Sequence, residues 1–277
     1  MKNTKTKSLP MGLWAVGLLL SSLLLPMQGR SQEVTPCPLE WYFGDASWLP
    51  VHYDDSELVC AFFLMPLGAL NSLLPAGVSA LPVNAEQSLW NSLDSRYSDF
   101  GVLVVGFWHY KSVQYLAPYY EEFVAVMADD PSWSDGFFPM YITSMTLTDE
   151  PAVLGGILHW GFPKILGDVR VQSVKPKGFK CFSWADDEMI MKLDVATNDL
   201  VGPTSATSIM CLTTKEGYLV RTAWVPTAGT EYRSLSMCKS TIHLGQHPIA
   251  RQLRDLGLEA SYSIGQIWAE GVQSTLP

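Results

Sequence analysis

Residues 155–169 read GGILHWGFPKILGDV, and this stretch carries the clearest local signals of structure in the chain. Residues 150–159, which overlap the start of this stretch, predict a helix. Gly161 and Pro163 end it in the usual order of helix stop signals. The next residues have the composition of a strand. Lys164 therefore stands where a helix passes into a strand, with no carboxylate beside it in the sequence.

Lys164 has two interpretations. Its stem lies along an apolar wall with the amine in water, or the amine is kept partly neutral and acts as a nucleophile. A helix C-terminus favours a cation by about 0.3–1 kcal/mol, which is less than one pKa unit. Full burial is the larger effect, because it lowers the pKa of a lysine by up to about 3–5 units. Trp160, Phe162 and Ile165 supply apolar bulk for such burial. If burial dominates, free amine is present for attack on a ketone or aldehyde carbonyl.

The rest of the chain predicts a mainly β protein. Segments rich in β-branched and aromatic residues alternate with turn signals. These segments are residues 59–64, 101–113, 121–128, 137–147, 188–195 and 216–225. Many strands joined by short turns favour an antiparallel sheet or barrel. Two more helices are predicted, at residues 67–74 and 247–258, and the second has one apolar face for packing on the sheet.

The first 31 residues have the pattern of an export signal. Three lysines precede an uncharged apolar run at residues 11–25, and small residues follow at Gly29 and Ser31. An uncleaved membrane anchor is the alternative, although a spanning helix needs about 20 apolar residues. We therefore expect a signal peptide at residues 1–31, a single domain at residues 32–277 and an exported protein, periplasmic or secreted. Only the anchored form would have a membrane as partner.

Charge and cysteine content exclude several classes of function. The chain has 18 basic and 27 acidic residues, a formal net charge of −9, and residues 1–31 contain only basic ones. This acidic balance argues against nucleic acid as a partner. The cysteines are far apart, so they predict neither a disulfide framework nor a CxxC site, and their pairing is left open. They are Cys37, Cys60, Cys181, Cys211 and Cys238.

Motifs for metals and cofactors are also missing from the sequence. His243 and His247 are four residues apart, but Gly245 and Pro248 favour a loop there over a zinc-binding helix. The chain contains no serine-hydrolase elbow, no phosphate-binding loop and no dinucleotide fingerprint. We therefore expect neither a metal nor a cofactor.

Four motifs, in their order, resemble the acetoacetate decarboxylase family. They are LLPAGVSALP (73–82), APYYEEFVAV (117–126), GGILHWGFPKILGDV (155–169) and GQHPIARQLRDLGL (245–258). The family has a Leu-Pro-x-Gly-Leu-like turn, a Gly-Pro-Tyr-x-Glu strand, a Gly-Arg-Glu-x-Trp-Gly-Tyr/Phe-Pro-Lys-Lys motif and a helix near the C-terminus. The resemblance implies an α+β fold that is mainly β, with an antiparallel closed β-barrel-like core and a few edge helices. It also implies a homo-oligomer.

The same resemblance implies roles for individual residues. Lys164 matches the family lysine that forms a Schiff base with a β-keto acid, and Glu121 matches the strand glutamate that orients substrate or handles protons. Because strand side chains alternate, only one of Glu121 and Glu122 faces the same side as Tyr119, and we assign that place to Glu121.

We expect four further residues to contact the substrate. They are Tyr119, Trp160, Phe162 and Ile165.

Three positions depart from the family pattern. Ile157 and Leu158 replace the family Arg-Glu pair, and Ile165 replaces a second lysine. We therefore expect a decarboxylase-like enzyme acting on a small β-keto acid or related carbonyl compound. Aldolase or dehydratase chemistry at the same lysine is one alternative. The other is a non-catalytic barrel whose aliphatic residues at these three positions line a pocket for a small apolar or carbonyl-containing ligand.

Overall fold

The segments rich in β-branched and aromatic residues form strands in two sheets. The computed structural model describes residues 35–36, 49–174, 178–197, 199–237 and 239–277. The strands are β1 Thr35–Pro36, β2 Val51–Pro66, β3 Phe100–Val113, β4 Tyr119–Met127, β5 Phe138–Leu147, β6 Lys164–Leu166, β7 Asp168–Ser173, β8 Gly178–Ala185, β9 Glu188–Ala196, β10 Val201–Ser205, β11 Ile209–Lys215, β12 Tyr218–Ser234, β13 Thr241–Leu244 and β14 Ser263–Leu276. The helices are α1 Leu67–Asn71, α2 Glu150–Trp160 and α3 Pro248–Asp255.

The larger sheet is mixed, so the prediction of a purely antiparallel sheet is wrong. Antiparallel pairs join β12 to β11 and connect β5, β4, β3, β2 and β14 in that order. However, β5 pairs in parallel with β11 on one side and with β6 on the other. The parallel β5–β6 pair has a clear cause, because α2 carries the chain back over the sheet as parallel strands require. β12 also pairs with β14, so the order of pairing returns to its starting strand.

Two apolar layers lie on opposite faces of the larger sheet. The first core contains Phe62, Trp108 and Phe123. The second core lies where β2, β3 and β4 face the smaller antiparallel sheet of β13, β9, β8 and β7, together with α3. Alternate residues of one strand therefore enter different cores, because successive side chains of a strand point to opposite faces.

The predicted helices are present, with small shifts at their ends. α2 runs one residue past the predicted end, and Gly161 closes it in the left-handed region with φ 65°. Pro248 occupies the first turn of α3 as predicted, and His247 caps that helix by accepting a hydrogen bond from Ile249 N. The long strand β14, which pairs with both β2 and β12, is not among the predicted strands.

Several predictions fall on residues that the structure does not describe. The signal peptide at residues 1–31 lies outside the described residues, as do Cys37 and Cys238. Within the described part of the chain, Cys60, Cys181 and Cys211 are free thiols. No helix among the described residues is both long enough and apolar enough to cross a bilayer.

Candidate active site

The approach to Lys164 is fixed by helix capping and by strand pairing. The Asp149 side chain caps α2 by accepting a hydrogen bond from Ala152 N at 2.9 Å. At the other end, the Trp160 indole donates to the Pro277 carbonyl at 2.7 Å. Lys164 then opens β6 in parallel register with Met145 of β5. The lysine backbone is therefore held by the sheet, directly after a capped helix.

The Lys164 amine lies in a buried ion pair that is invisible in the local sequence. Its Nζ is 3.1 Å from Oε2 of Glu121, and the two side chains are 6% and 4% exposed. A longer contact of 3.5 Å joins Nζ to the Ala152 carbonyl, and the ring centroid of Phe162 lies 5.4 Å from Nζ. Desolvating two charges is costly, so a pair in this place is retained only where other contacts or a function compensate.

Gly156 of α2 makes room for the lysine side chain. A Cβ atom at this position would lie 2.4 Å from Cδ, 2.5 Å from Cε and 2.9 Å from Nζ of Lys164. These separations are shorter than van der Waals contact, so any side chain here would displace the lysine. The helix backbone thus forms one wall of the lysine channel, and glycine is required for that reason.

Three buried tyrosines surround the Glu121 end of the pair. Tyr110 donates a hydrogen bond to Oε1 of Glu121 at 3.3 Å, and its ring lies 4.8 Å from that of Tyr53 and 4.7 Å from that of Tyr119. Burial, followed by the nearby Glu121 charge, raises the pKa of Tyr110 and of Tyr53. Burial also raises the pKa of Tyr119. The three phenols therefore stay neutral and can donate hydrogen bonds.

Lys164 lies at the junction of two cavities. An outer chamber of about 220 Å³ is lined by Tyr53, Leu116, Tyr119, Gly155, Trp160 and Lys164, among others. An inner chamber of about 50 Å³ is lined by residues that include Tyr53, Tyr110, Glu121, Phe162, Lys164 and Cys211. An apolar extension of about 30 Å³ continues from it and shares Trp108, Phe123 and Trp224 with the inner chamber. The amine thus faces a larger space on one side and a smaller one on the other.

The family model for acetoacetate decarboxylase matches residues 43–206, a range that contains Glu121, α2 and Lys164. The chain belongs to the acetoacetate decarboxylase family. No curated protein matches it significantly.

Solved acetoacetate decarboxylase structures share the fold. One is 15% identical, with a TM-score of 0.58, and the match covers 82% of this chain and 88% of the other. A second, from Legionella pneumophila, is also 15% identical, with a TM-score of 0.56 and coverage of 82% and 85%. The enduracididine biosynthesis enzyme MppR, in complex with pyruvate, is 12% identical with a TM-score of 0.55, and covers 92% of this chain and 94% of its own.

The structure brings together most of the residues that the acetoacetate decarboxylase resemblance selects. Tyr119 and Trp160 line the outer chamber. Phe162 and Glu121 line the inner one, and Glu121 pairs there with Lys164. Ile165 is placed apart from this group, because it follows Lys164 on β6 and its side chain packs against the second core.

The aliphatic residues that replace the family Arg-Glu pair are not in the pocket either. Ile157 and Leu158 are 41% and 63% exposed on α2. The expectation that these side chains line a ligand pocket is therefore wrong, since the helix turns them away from the lysine.

Sequence reasoning did not select several residues of this site. Tyr53, Tyr110, Gly156 and Cys211 each contact the lysine pair or line the inner chamber. Burial raises the pKa of the Cys211 thiol to about 12, so it stays protonated. Gly156 stands inside the 155–169 motif, and a glycine in a helix interior is a signal of close packing. The tyrosines come from strands far away in sequence and offered no comparable signal.

Proposed function

We propose that this protein is an enzyme of the acetoacetate decarboxylase family that binds a small carbonyl compound covalently, as a Schiff base on Lys164. The observation that carries the proposal is the buried amine, 3.1 Å from a carboxylate and open to two cavities. A lysine placed so deeply has little structural purpose, because apolar residues of similar volume usually stabilise a core as well as or better than an ion pair.

The proposed chemistry follows from the groups around the amine. Attack on a carbonyl requires neutral amine, and acetoacetate decarboxylase is the familiar case of a lysine activated by its surroundings. Glu121 is the only carboxylate within hydrogen-bond distance of Nζ among the described residues, so we assign it the proton that leaves the amine. Tyr110 holds Glu121 from the other side. Glu121 returns the proton to the carbinolamine oxygen, which leaves as water, so that Glu121 is again a carboxylate beside the iminium. When a carbon–carbon or carbon–hydrogen bond next to the iminium carbon breaks, its electron pair forms a carbon–carbon double bond and the C=N π pair moves to the nitrogen.

A non-catalytic ligand-binding protein is less well supported. That hypothesis depended on Ile157, Leu158 and Ile165 lining the pocket, and the first two are exposed while the third faces the second core.

Intact-mass spectrometry after borohydride reduction tests the proposal. The purified protein is incubated with acetoacetate, pyruvate, acetone and simple aldehydes, and reduction traps any imine. We expect a mass increase that maps to Lys164 and is lost in Lys164→Ala. Lys192→Ala is the matched control, since Lys192 also pairs with a carboxylate, Asp194 at 2.7 Å, but lies away from both chambers. A folded protein that gives no adduct with any carbonyl would contradict the proposal.

We propose further that the strands β12, β11, β5, β4, β3, β2 and β14 form the closed barrel-like core of the family. The pairing of β12 with both β11 and β14 supports this. Export through residues 1–31 and assembly into a homo-oligomer also stay predictions. They are tested by N-terminal sequencing of the mature protein and by its mass in solution.

A further inference from the structure

We infer that the Lys164 site selects an uncharged ketone with one short and one longer apolar substituent, such as a methyl ketone, in preference to a compound that carries a carboxylate. This inference rests on the proposed Schiff base and specifies its substrate class. Two independent observations carry it, namely the unequal sizes of the two chambers and the distribution of charge along their walls.

The chambers differ in size about the same amine. Lys164 and Tyr53 line both, so a carbonyl carbon bonded to Nζ would have one substituent in each chamber. The inner chamber holds about 50 Å³ and the outer about 220 Å³. The inner chamber therefore has about a quarter of the volume of the outer one. A short group such as methyl suits the inner side, and the longer substituent is better accommodated in the outer chamber, which stays the larger space even when the extension of about 30 Å³ is added to the inner chamber.

The walls of the outer chamber offer neutral hydrogen-bond donors, such as the Tyr53 and Tyr119 phenols, but no second cation for a negatively charged substituent. Among its described lining residues, Lys164 is the only charged one, and after Schiff-base formation its positive charge stays on the iminium at the carbonyl carbon, away from the end of the longer substituent. The remaining walls are mostly apolar or aromatic, with Leu116 and Trp160 as examples. A carboxylate at the end of the longer substituent would lose its hydration without gaining a cation. An alkyl or aryl substituent gains from the same burial.

The inner chamber is unfavourable to a carboxylate for a different reason. Glu121 lines it, so a substrate carboxylate placed there would lie close to a second carboxylate in a buried site. A short uncharged group is therefore the better occupant of the inner chamber.

Glu121 is also placed to act on that short group once the iminium has formed. A methyl group bonded to the iminium carbon has acidic hydrogens, and it would lie in the chamber that the carboxylate lines. When one proton passes from the methyl carbon to Glu121, the carbon–hydrogen electron pair forms a carbon–carbon double bond, the C=N π pair moves to the nitrogen, and the product is an enamine. Return of a proton from Glu121 to the methyl carbon regenerates the iminium, and exchange of the Glu121 proton with water between the two steps supplies the solvent hydrogen isotope. In deuterium oxide it would place deuterium in the methyl group.

A matched pair of ketones tests the inference. 2-Heptanone and 6-oxoheptanoate have the same seven-carbon methyl ketone chain, and only the second ends in a carboxylate. Acetone and acetoacetate are included as small probes, and borohydride trapping on Lys164 is followed by intact mass. We expect 2-heptanone to give half-maximal labelling at a concentration at least about tenfold lower than 6-oxoheptanoate. Equal or better labelling by 6-oxoheptanoate would overturn the inference.

The two levels of the proposal fail in different ways. Labelling by acetone or acetoacetate, without preference for 2-heptanone, overturns the substrate class and leaves the Schiff base intact. Absence of labelling by every ketone overturns both. Deuterium incorporation into 2-heptanone, measured by NMR, should fall at least about tenfold in Glu121→Gln. Incorporation that is unchanged in this variant would contradict the assigned role of Glu121.

A pair of tryptophan variants tests the place of the longer substituent. Leu116→Trp fills part of the outer chamber and should lower the ratio of 2-heptanone labelling to acetone labelling by about tenfold. Leu154→Trp is the control, because Leu154 is 53% exposed on α2 and lines none of the chambers described above. A ratio that is unchanged in Leu116→Trp would show that the longer substituent lies elsewhere and would overturn the two-chamber model.

Discussion

Glu121 and Glu122 are neighbours on β4, yet their carboxyl groups lie on opposite faces of the strand and have different surroundings. Glu121 faces the lysine chambers, where it pairs with Lys164 and accepts a hydrogen bond from Tyr110. Glu122 faces the second core between Phe107 and Thr146, and neither of its oxygens has a hydrogen-bond partner among the described residues. Burial is therefore common to both carboxyl groups, and what separates them is that Glu121 has a cation and a hydrogen-bond donor beside it.

The protonation of Glu122 follows from its surroundings. Burial raises its pKa to about 8, and the nearby Glu121 charge adds to the effect. Near neutral pH this side chain therefore keeps its proton. The comparison shows that a carboxyl group with a raised pKa does not by itself mark the candidate site, because Glu122 lies away from both chambers.

Removal of Lys164 should abolish the difference between the two faces. Lys164→Ala leaves Glu121 buried without a cation, as Glu122 is now, and the chain loses its nucleophile. We expect no borohydride-trapped adduct, together with a fall in the free energy of unfolding of about 3–5 kcal/mol. Chemical denaturation at pH 7 measures the second effect.

The double variant Lys164→Ala/Glu121→Gln separates two causes of the lost stability, the unpaired charge of Glu121 and the cavity that alanine leaves. It should recover part of the lost stability, since no uncompensated charge remains. Recovery of none would show that packing, and not charge, causes the loss.

A smaller change in the pocket should displace the Lys164 side chain without removing the residue. Gly156→Ala puts a methyl group where Cδ and Cε of Lys164 now lie. A misplacement of about 1 Å costs on the order of 100-fold in rate, so we expect adduct formation to slow by about that factor. Gly68→Ala in α1 is the matched control, because a Cβ there meets no atom within 4 Å. Equal labelling rates in the two variants would argue against the channel wall described for α2.

Glu122, on the second face of β4, should affect how the free energy of unfolding depends on pH. The pKa of Glu122 is about 8 in the folded protein against an ordinary value of 4.5. Unfolding therefore releases a proton between pH 4.5 and pH 8, and the contribution of Glu122 to stability declines across that window as pH rises. The slope for one group is about 1.4 kcal/mol per pH unit.

Glu122→Gln should remove this slope, which denaturation at pH 5.5, 6.5 and 7.5 would measure. Labelling of Lys164 in this variant shows whether the pocket has changed. We expect it to be unaffected, because Glu122 lies on the other face of β4. A slope that is the same in the variant and the parent would contradict the neutral state of Glu122.

The smallest effect should come from the hydrogen bond that holds Glu121. Tyr110→Phe removes the donor at 3.3 Å and keeps the ring that packs on Tyr53 and Tyr119. One hydrogen bond of this kind is worth about 1 kcal/mol, so we expect labelling of Lys164 to slow by about fivefold. Tyr97→Phe serves as the control, since Tyr97 lines none of the three cavities around Lys164. A loss as large as that in Lys164→Ala would instead give Tyr110 a direct part in the reaction.

Much of the local structure could be predicted from sequence because its causes are local. The end of α2 at Gly161, the lysine that follows Pro163 and the mainly β character all depend on capping, backbone sterics and side-chain periodicity within a few residues. Alternation along β4 likewise assigned Glu121, and not Glu122, to the side of Tyr119, which the structure bears out in the placement of the two side chains.

Only the tertiary structure decided which distant residues meet. Lys164 and Glu121 are 43 positions apart, and they pair because β5 lies between β4 and the parallel strand β6. The mixed sheet, the exposure of Ile157 and the turn of Ile165 into the second core also follow from that crossover. Strand order and register are set by the packing of whole faces, so no short stretch of sequence specifies them. The sequence therefore determined the lysine, the helix before it and the glutamate strand, whereas the tertiary structure determined the partner, the chambers and the face on which the chemistry is proposed.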